Sequence, residues 1–466
     1  MTADARQPIT RTLAEFAANL TYEDLPAEVA ARTKLLILDI SGVMVRARHD
    51  AESTPSLVSA VSRMGLDKGA CSVLGDGKGY APPAAALING SLAHSLDFDD
   101  THAEASLHSS APIVPAVLAA AEMVDASGKD VITACVVGYE IQIRLAKALV
   151  PKDHYDRGYH PTATTGIFAA AAAAGKILGM NADEIESAFG IALSQAAGSM
   201  QFLADGAWTK RSHVGQAAQN GLMAAILAQE GFKGPKEAFE GRWGFLHAYS
   251  PNAIHEKATA GLGSYWETMH LGVKPYPSCR YSHAAMDALS SLRKEYAIAE
   301  DNIDAVEIGI SQTGWKIIGE NDAKKQDPKS VVDGQFSMPF CAAVVLQKGA
   351  MVWDDYRDHL NDPATRALTK RVKTVVDADA EACFPDNMSG KATIKTKDGK
   401  TYQAFVEVPK GEPDNFMDMA EFRAKFDGLC APYLSKDKMD RFAGAILALE
   451  EANSLRSVLA LSQGSN

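Results

Sequence analysis

The sequence predicts a mainly α-helical protein in which a large, all-helical domain carries an inserted, smaller α+β domain. The 466-residue chain is rich in alanine and only 7% aromatic, and alanine both favours helices and lets their axes approach closely. Helical periodicity extends to about residue 265 and returns near 418, whereas strand-like alternation is confined to the stretch between. We therefore assign residues 1–265 and 411–466 to the large domain and residues 266–410 to the small one.

Three stretches carry the clearest helix signals. Pro26–Met44 begins with proline and continues into an apolar run, which is typical of a helix start. Asn181 and Glu184 have the spacing of a capping box at the start of the next helix. The segment Gly215–Gly231 predicts a tightly packed helix, with His213 just before it.

The strand signals lie in the inserted region. Asp304–Ser311 alternates apolar and polar residues, as a half-buried strand does. Lys391–Val408 contains two such runs around Asp398-Gly399, the pair that a tight hairpin turn prefers. Between the prolines of the domain junction and these strands, a helix is predicted to start near Ser282.

Charge and hydropathy exclude several classes of protein. A net charge of −12 argues against general nucleic-acid binding, which needs a basic face, and 47% hydrophobic residues argue against disorder. The apolar stretch Gly166–Gly175 is shorter than the roughly 18 residues of a membrane span. Met1–Thr10 contains no apolar core of a signal peptide. We therefore expect no membrane partner, no nucleic acid and a cytoplasmic location.

The cysteines support the same compartment. The six cysteines include no CxxC pair, so neither a structural zinc nor an iron–sulfur site is expected. Reduced, mostly buried thiols are the simpler interpretation.

The first segment with potential chemistry is Ser91–Pro115, which holds His94, His102 and His108 among four acidic residues. One interpretation is a metal site, because His94 and Asp97 would share one helix face. A hydrogen-bond network that orients a catalytic histidine is favoured over metal, since no HExxH-like pattern is present. A polar helix end without function is the third alternative.

The second segment is Tyr155–Gly166, in which His160 precedes Pro161. The proline biases His160 toward an extended backbone. A histidine on such a loop either faces a pocket or has a purely structural role, and spacing alone leaves both open.

The third segment, Asp205–Gly221, places Lys210, Arg211 and His213 at the start of a helix, with no acidic residue after Asp205 until Glu230. Free N–H groups and the helix dipole make such a position suitable for a carboxylate or phosphate. A solvated basic turn is the alternative.

The fourth segment is His270–Asp287, where Lys274, Arg280 and His283 occur with no acidic residue before Asp287. It lies at the predicted domain junction, where pockets tend to form. A rigid linker with solvated charges is the alternative.

Together, the segments indicate an enzyme for a small anionic substrate, a di- or tricarboxylate, held in a locally positive pocket of an acidic protein. Lysine and arginine would bind carboxylates, and histidine or lysine would move a proton at the neighbouring carbon. Positive charge would stabilise the enediolate that develops. No redox-cofactor fingerprint is present.

The motifs SLAHSLDFDDTH, HSSAPIVPAVLAAAE, GYHPTATTG, TKRSHVGQAAQNG and KPYPSCRYSHAAMDA together resemble the MmgE/PrpD family over nearly the whole chain. The resemblance implies the helical domain with an inserted lid domain, a homodimer, and catalysis without metal or organic cofactor. It also implies one of the family's reactions: 2-methylcitrate dehydration, cis-aconitate decarboxylation or iminodisuccinate epimerisation.

The resemblance also implies the site residues. The predicted catalytic residues are Asp97, His108, His160, Lys210 and Lys274. The predicted substrate-binding residues are Thr101, Arg211, His213, Arg280 and His283.

Two departures from the family pattern guide the choice of reaction. The decarboxylase-like HPS triplet is His108-Ser109-Ser110 here, and a tyrosine common in the small domain is replaced by Phe340. We therefore predict an epimerase resembling iminodisuccinate epimerase, which removes and returns a proton at the carbon next to a carboxylate. A lyase of the same family is the alternative. A lysine acting as the base would need a lowered pKa.

Overall fold

The computed structural model describes residues 8–204, 206–320 and 322–463. It is mainly α-helical, as predicted. The chain forms two compact units, one comprising the chain up to Leu271 together with the residues from Phe422 onward, the other Gly272–Glu421. Most of the N-terminal stretch considered for a signal peptide, and Asp205 of the third segment, lie outside the described residues.

The larger unit is built from helices joined by short loops. Three short strands also lie here, Cys71–Ser72 paired with Gly79–Tyr80, and Thr101–His102. The strand Leu271–Gly272 and the first residues of helix Met419–Cys430 lie at the boundaries of the unit. The α-helices are Ile9–Asn19, Ala27–Asp50, Thr54–Arg63, Pro82–Ala93, Ser110–Val124, Gly128–Ala148, Pro151–Asp156, Pro161–Thr164, Gly166–Ile177, Ala182–Leu193, Thr209–Gln229, Phe245–Tyr249, Met419–Cys430, Lys436–Leu447 and Leu455–Leu459.

The alanine-rich composition serves close helix packing in this unit. Helix Thr209–Gln229 packs against Pro82–Ala93 and Gly166–Ile177. A Cβ atom added at Gly215 would lie 2.2 Å from Ser91 Oγ and 2.3 Å from the carbonyl oxygen of Leu87. Only glycine therefore permits this helix crossing.

The close crossing predicts a stability effect. We expect Gly215→Ala to lower the free energy of unfolding by about 1–3 kcal/mol through overpacking, measured by urea denaturation. Gly444→Ala is the matched control, because Gly444 lies in helix Lys436–Leu447 and an added Cβ meets nothing within 4 Å. The control should be stabilised by about 0.5–1 kcal/mol. Equal unfolding midpoints for the two variants would contradict the packing argument.

The smaller unit contains a four-stranded sheet in the order Val372–Val376, Ile303–Ile310, Gly390–Thr396 and Thr401–Val406. The first pair is parallel and the other two are antiparallel. Helices against the sheet bury its apolar face. The α-helices of this unit are His283–Tyr296, Gln312–Gly314, Ala323–Gln326, Val331–Gln335, Met338–Lys348, Asp355–His359, Pro363–Thr369 and Ala378–Ala382, with a π-helix at Trp315–Gly319.

Several predicted elements are confirmed with shifted ends. The hairpin turns at Asp398-Gly399, and Gly399 has the positive φ of 83° that the turn requires. The capping box of Asn181 and Glu184 is formed.

Helix starts and ends were the weaker part of the prediction. The first long helix continues to Asp50, and the third segment's helix begins at Thr209, not at Gly215. His213 therefore lies inside this helix, because nothing in residues 209–214 interrupts the helical backbone. Among the described residues, no helix combines the length and apolarity needed to cross a membrane.

Candidate active site

The helix that enters the first segment ends earlier than the sequence predicts. Helix Pro82–Ala93 ends before His94, and Asp97 has a left-handed backbone with φ of 51°. The expectation that His94 and Asp97 share one helix face is therefore wrong, because the chain turns between them. Asp97 contacts Lys210 instead, and His94 contacts Asp99.

Asp99 lies between two histidines in the interior of the larger unit. Its Oδ2 atom is 2.7 Å from Nδ1 of His94 and 3.2 Å from Nδ1 of His108. Burial by itself would raise the pKa of Asp99, but His108 and His94 outweigh it and hold that pKa well below its usual range. Burial lowers the pKa of His94 to about 4. At neutral pH this pair is therefore an ionised carboxylate beside a neutral imidazole.

The same three side chains have the composition of a metal site. Their potential ligand atoms all lie within 4.8 Å of one another. However, the 2.7 Å separation from His94 is a normal hydrogen-bond length, which supports the network interpretation of this segment. The expected absence of a metal remains a prediction, tested below.

A second network holds the backbone that carries His108. The amide and hydroxyl of Ser110 donate to the carboxylate of Asp100, at 3.1 and 2.7 Å. The Ser110 hydroxyl also contacts the Tyr139 hydroxyl at 2.8 Å. The amide of His108 donates to Thr162 Oγ1 at 3.2 Å, which ties the second segment to the first. His108 is thereby fixed at the entry to helix Ser110–Val124.

His160 has the extended backbone that its proline neighbour predicts, with φ −97° and ψ 102°. Its ring stacks at 5.6 Å from that of His94 and lies 5.9 Å from that of His213. Burial, followed by the nearby imidazoles and Lys210, lowers the pKa of His160 well below its usual range. His160 is therefore neutral and suited to accept a proton or a hydrogen bond.

Lys210 is the cation of this cluster. Its Nζ atom lies 3.0 Å from Asp97 Oδ1, and its side chain is 24% exposed. Burial alone would lower the pKa of Lys210, but Asp97 and Asp99 outweigh it and raise that pKa above the usual value. Lys210 is therefore protonated and suited to stabilise negative charge or donate a proton, rather than to act as the base.

The structure thus brings five predicted site residues of the larger unit together: Asp97, His108, His160, Lys210 and His213. Thr101 is half-buried in the strand Thr101–His102, three residues after Phe98. Arg211 has a different contact, since its guanidinium donates to Ser53 Oγ at 3.5 Å.

Two cations of the predicted, locally positive pocket are paired with carboxylates. Lys210 pairs with Asp97, which is 113 residues away in sequence. Arg280 pairs with Glu412 at 2.6 Å, 132 residues away. The local absence of acidic residues in each segment is offset by carboxylates from distant parts of the same unit.

Lys274, Arg280 and His283 belong to the smaller unit, where all three are buried. The Arg280 guanidinium also donates to His283 Nδ1 at 2.9 Å and to the carbonyl of Lys410 at 3.1 Å. Because that guanidinium donates to Nδ1 of His283, the ring's proton lies on Nε2, 3.2 Å from the carbonyl of Ser278. Within the unit, Arg280 and His283 brace the start of helix His283–Tyr296, and their role in substrate binding stays a prediction, as does that of Lys274.

Sequence reasoning assigned no role to several residues of the network. Asp99 and Asp100 are two of the four acidic residues of the first segment, His94 is considered there only as a possible metal ligand, and Asp39 and Lys425 are not singled out. Lys425 Nζ lies 2.7 Å from Asp39 Oδ1 and 4.0 Å from the centroid of the Phe98 ring. The acidic residues that closely follow His94 indicate that one of them could contact a histidine, but their spacing does not show which one does.

The arrangement defines a class of protein: it is that of an enzyme site in which several imidazoles lie beside one partly buried ammonium group. The sequence matches the MmgE/PrpD N-terminal domain over residues 11–257 and the MmgE/PrpD C-terminal domain over residues 276–451. The chain belongs to the MmgE/PrpD family, as the motifs predicted.

Curated relatives extend over almost the full length of the chain. The cis-aconitate decarboxylase-like protein oryM of Aspergillus oryzae is 31% identical, over 98% of this chain and 97% of its own. The cis-aconitate decarboxylase of Aspergillus terreus is 30% identical, over 98% of this chain and 96% of its own. The human cis-aconitate decarboxylase is 27% identical, over 98% of this chain and 95% of its own. These names favour the lyase alternative over the predicted epimerase.

Proposed function

We propose that this protein is a lyase that decarboxylates a small unsaturated tricarboxylate of the cis-aconitate type. The observation that carries the proposal is the similarity to cis-aconitate decarboxylases over 98% of the chain. The cluster of Lys210 with neutral imidazoles is chemically suited to this reaction. The epimerase expectation has no comparable support.

Decarboxylation requires an electron sink and then a proton. The bond between a carboxylate carbon and its neighbour breaks, carbon dioxide leaves, and the electron pair delocalises over the adjacent double bond. One proton then quenches this carbanion, so that a trianion plus one proton gives a dianion and carbon dioxide. Preorganised positive charge lowers the barrier by stabilising the delocalised pair.

The residues of the larger unit divide these tasks. Lys210, kept protonated by Asp97, supplies the positive charge. His108 and His160 are the proton carriers, since positioned imidazoles are the usual general acids and bases near neutral pH. His213, next to His160, borders this group and orients the substrate.

The two departures from the family pattern argue less strongly against a decarboxylase than the sequence alone suggested. Phe340 is 2% exposed and stacks on Tyr356 with ring centroids 5.9 Å apart, in the core of the smaller unit. Its lack of a hydroxyl fits this apolar packing. Ser109 is the N-cap residue of helix Ser110–Val124, directly after His108, and is completely buried.

The test uses purified protein with cis-aconitate, followed by carbon dioxide release and by NMR of the products. We expect one carbon dioxide per product molecule and one solvent deuteron at a carbon of the product in D₂O. Hydration of the double bond without carbon dioxide release would indicate a dehydratase. Deuterium uptake at an α-carbon of an amino or imino dicarboxylate, without carbon dioxide from any tricarboxylate, would restore the epimerase.

The same assay tests the expected absence of a metal. Overnight dialysis against EDTA should leave the rate of carbon dioxide release within about twofold, because the cluster needs only its protons and Lys210. Elemental analysis serves as the independent readout. Loss of activity on dialysis, restored by one equivalent of Zn²⁺, would contradict a metal-free mechanism.

A further inference from the structure

The carboxylate of Asp99 faces two imidazoles, and its charge influences which nitrogen of each ring carries the proton. The Oδ2 atom accepts from His94 and faces Nδ1 of His108, while Asp99 and His94 are each at most 2% exposed. An ionised carboxylate can only accept hydrogen bonds. His94 must therefore carry its proton on Nδ1, which leaves its Nε2 bare. His108 Nδ1 lies 3.2 Å from the same anionic oxygen and has no hydrogen-bond partner among the described residues, so a proton on this nitrogen is favoured by the charge that it faces.

Four imidazole nitrogens of the cluster are buried without a hydrogen-bond partner among the described residues. They are His94 Nε2, His108 Nδ1, His160 Nδ1 and His213 Nδ1. The rings of His94 and His160 are stacked, with an interplanar angle of 26°. A buried nitrogen without a partner is costly, so its retention beside a reactive histidine points to a role in the reaction.

Building on the proposed decarboxylation, we propose that Asp99 is a positioning residue that fixes His108 in its Nδ1–H form and supports the positive charge that His108 acquires. His94 donates to the same oxygen, so the negative charge of Asp99 acts on two rings at once. When His108 takes a proton at Nε2, both ring nitrogens carry hydrogen and the ion pair with Asp99 strengthens. When it gives that proton to the carbanion, the neutral Nδ1–H form returns.

Other charges act on this group and must be held constant in a test. They come from the elements packed around it and comprise Asp39, Asp97, Asp100, His160, Lys210 and His213. Burial raises the pKa of Asp39 to about 6 and that of Asp100 to about 7. Asp39 and Asp100 therefore titrate in the pH range in which the activity is measured. Each test variant must be compared with a control variant in which one of these other charges is changed.

The decisive variant is Asp99→Asn, which keeps the shape and removes the charge. We expect kcat to fall about 10²- to 10⁴-fold with little change in KM, as when a histidine loses its orienting carboxylate. The limb of the pH profile that reports His108 should move toward acid by about 1–3 pH units. Asp100→Asn is the matched control: Asp100 is equally buried but bonds to Ser110, so this limb should not move by that amount.

A second variant keeps the proposal testable if Asp99→Asn fails to fold. In His94→Gln, Asp99 acts on His108 alone, and the same limb should move in the opposite direction, toward alkaline pH. An unmoved limb in folded Asp99→Asn, or in His94→Gln, overturns the proposal.

A readout that does not depend on turnover separates this proposal from the proposed function. With ¹⁵N-histidine labelling, NMR of the wild-type protein at pH 7 should show His94 protonated at Nδ1 and bare at Nε2. The same NMR experiment on Asp99→Asn should show that the His108 Nδ1 proton is lost or that its resonance is shifted. That result would stand even if cis-aconitate were not the substrate. Nε2-protonated rings, or a stoichiometric metal ion lost in His94→Gln, would overturn the assignment.

Discussion

Lys210→Met is expected to lower kcat for carbon dioxide release by about 10²- to 10³-fold, the usual effect of removing one preorganised donor from developing negative charge. Methionine is unbranched and one atom shorter than lysine, so it replaces the apolar stem of lysine but carries no charge. The raised pKa of Lys210 means that the wild-type protein presents this charge throughout the neutral range. Steady-state kinetics with cis-aconitate measure the effect on kcat, and KM is determined from the same data.

Two further variants separate loss of charge from loss of structure. Lys210→Met removes the ion pair between Lys210 and Asp97, so Lys210→Met/Asp97→Asn should recover part of the lost thermal stability without recovering activity. Lys176→Met is the matched control, because Lys176 is a half-buried lysine of the same unit that donates to the carbonyl of Ala18. Recovery of activity in the double variant would show that Lys210 acts only by neutralising Asp97.

His108→Gln is expected to lower kcat by about 10²- to 10⁴-fold, the range that a positioned acid or base contributes. Glutamine retains a hydrogen-bonding side chain but cannot carry the proton. The loss should be greatest in the protonation step, so the solvent deuterium isotope effect on kcat should increase relative to wild type. Rapid-quench detection of carbon dioxide, compared with product formation, measures the two steps separately.

His247→Gln provides the control for this variant, because His247 is an exposed histidine of the larger unit. It should retain wild-type kinetics. If His108→Gln also kept wild-type kcat while remaining folded, His108 would not carry the proton, and His160 would be the remaining proton carrier of the proposed mechanism. His160→Gln in the same assay decides that question.

Much of the fold could be predicted because its signals are local. Helix periodicity, the capping box at Asn181, the turn at Asp398-Gly399 and the extended backbone of His160 each depend on a few neighbouring residues. Helix ends were less predictable. His94 and Asp97 were predicted to share one helix face, but helix Pro82–Ala93 ends before His94, and Asp97 has a left-handed backbone.

The sequence by itself determined the helical class, the MmgE/PrpD family and the segments that hold the site residues, because composition, periodicity and motifs are properties of the chain in order. Only the tertiary structure decided which charges meet. Asp97 and Glu412 come from more than 100 residues away to pair with Lys210 and Arg280, and Asp99, not Asp97, joins the histidines. Electrostatic effects depend on distance in space and on burial, and neither can be read from spacing along the chain.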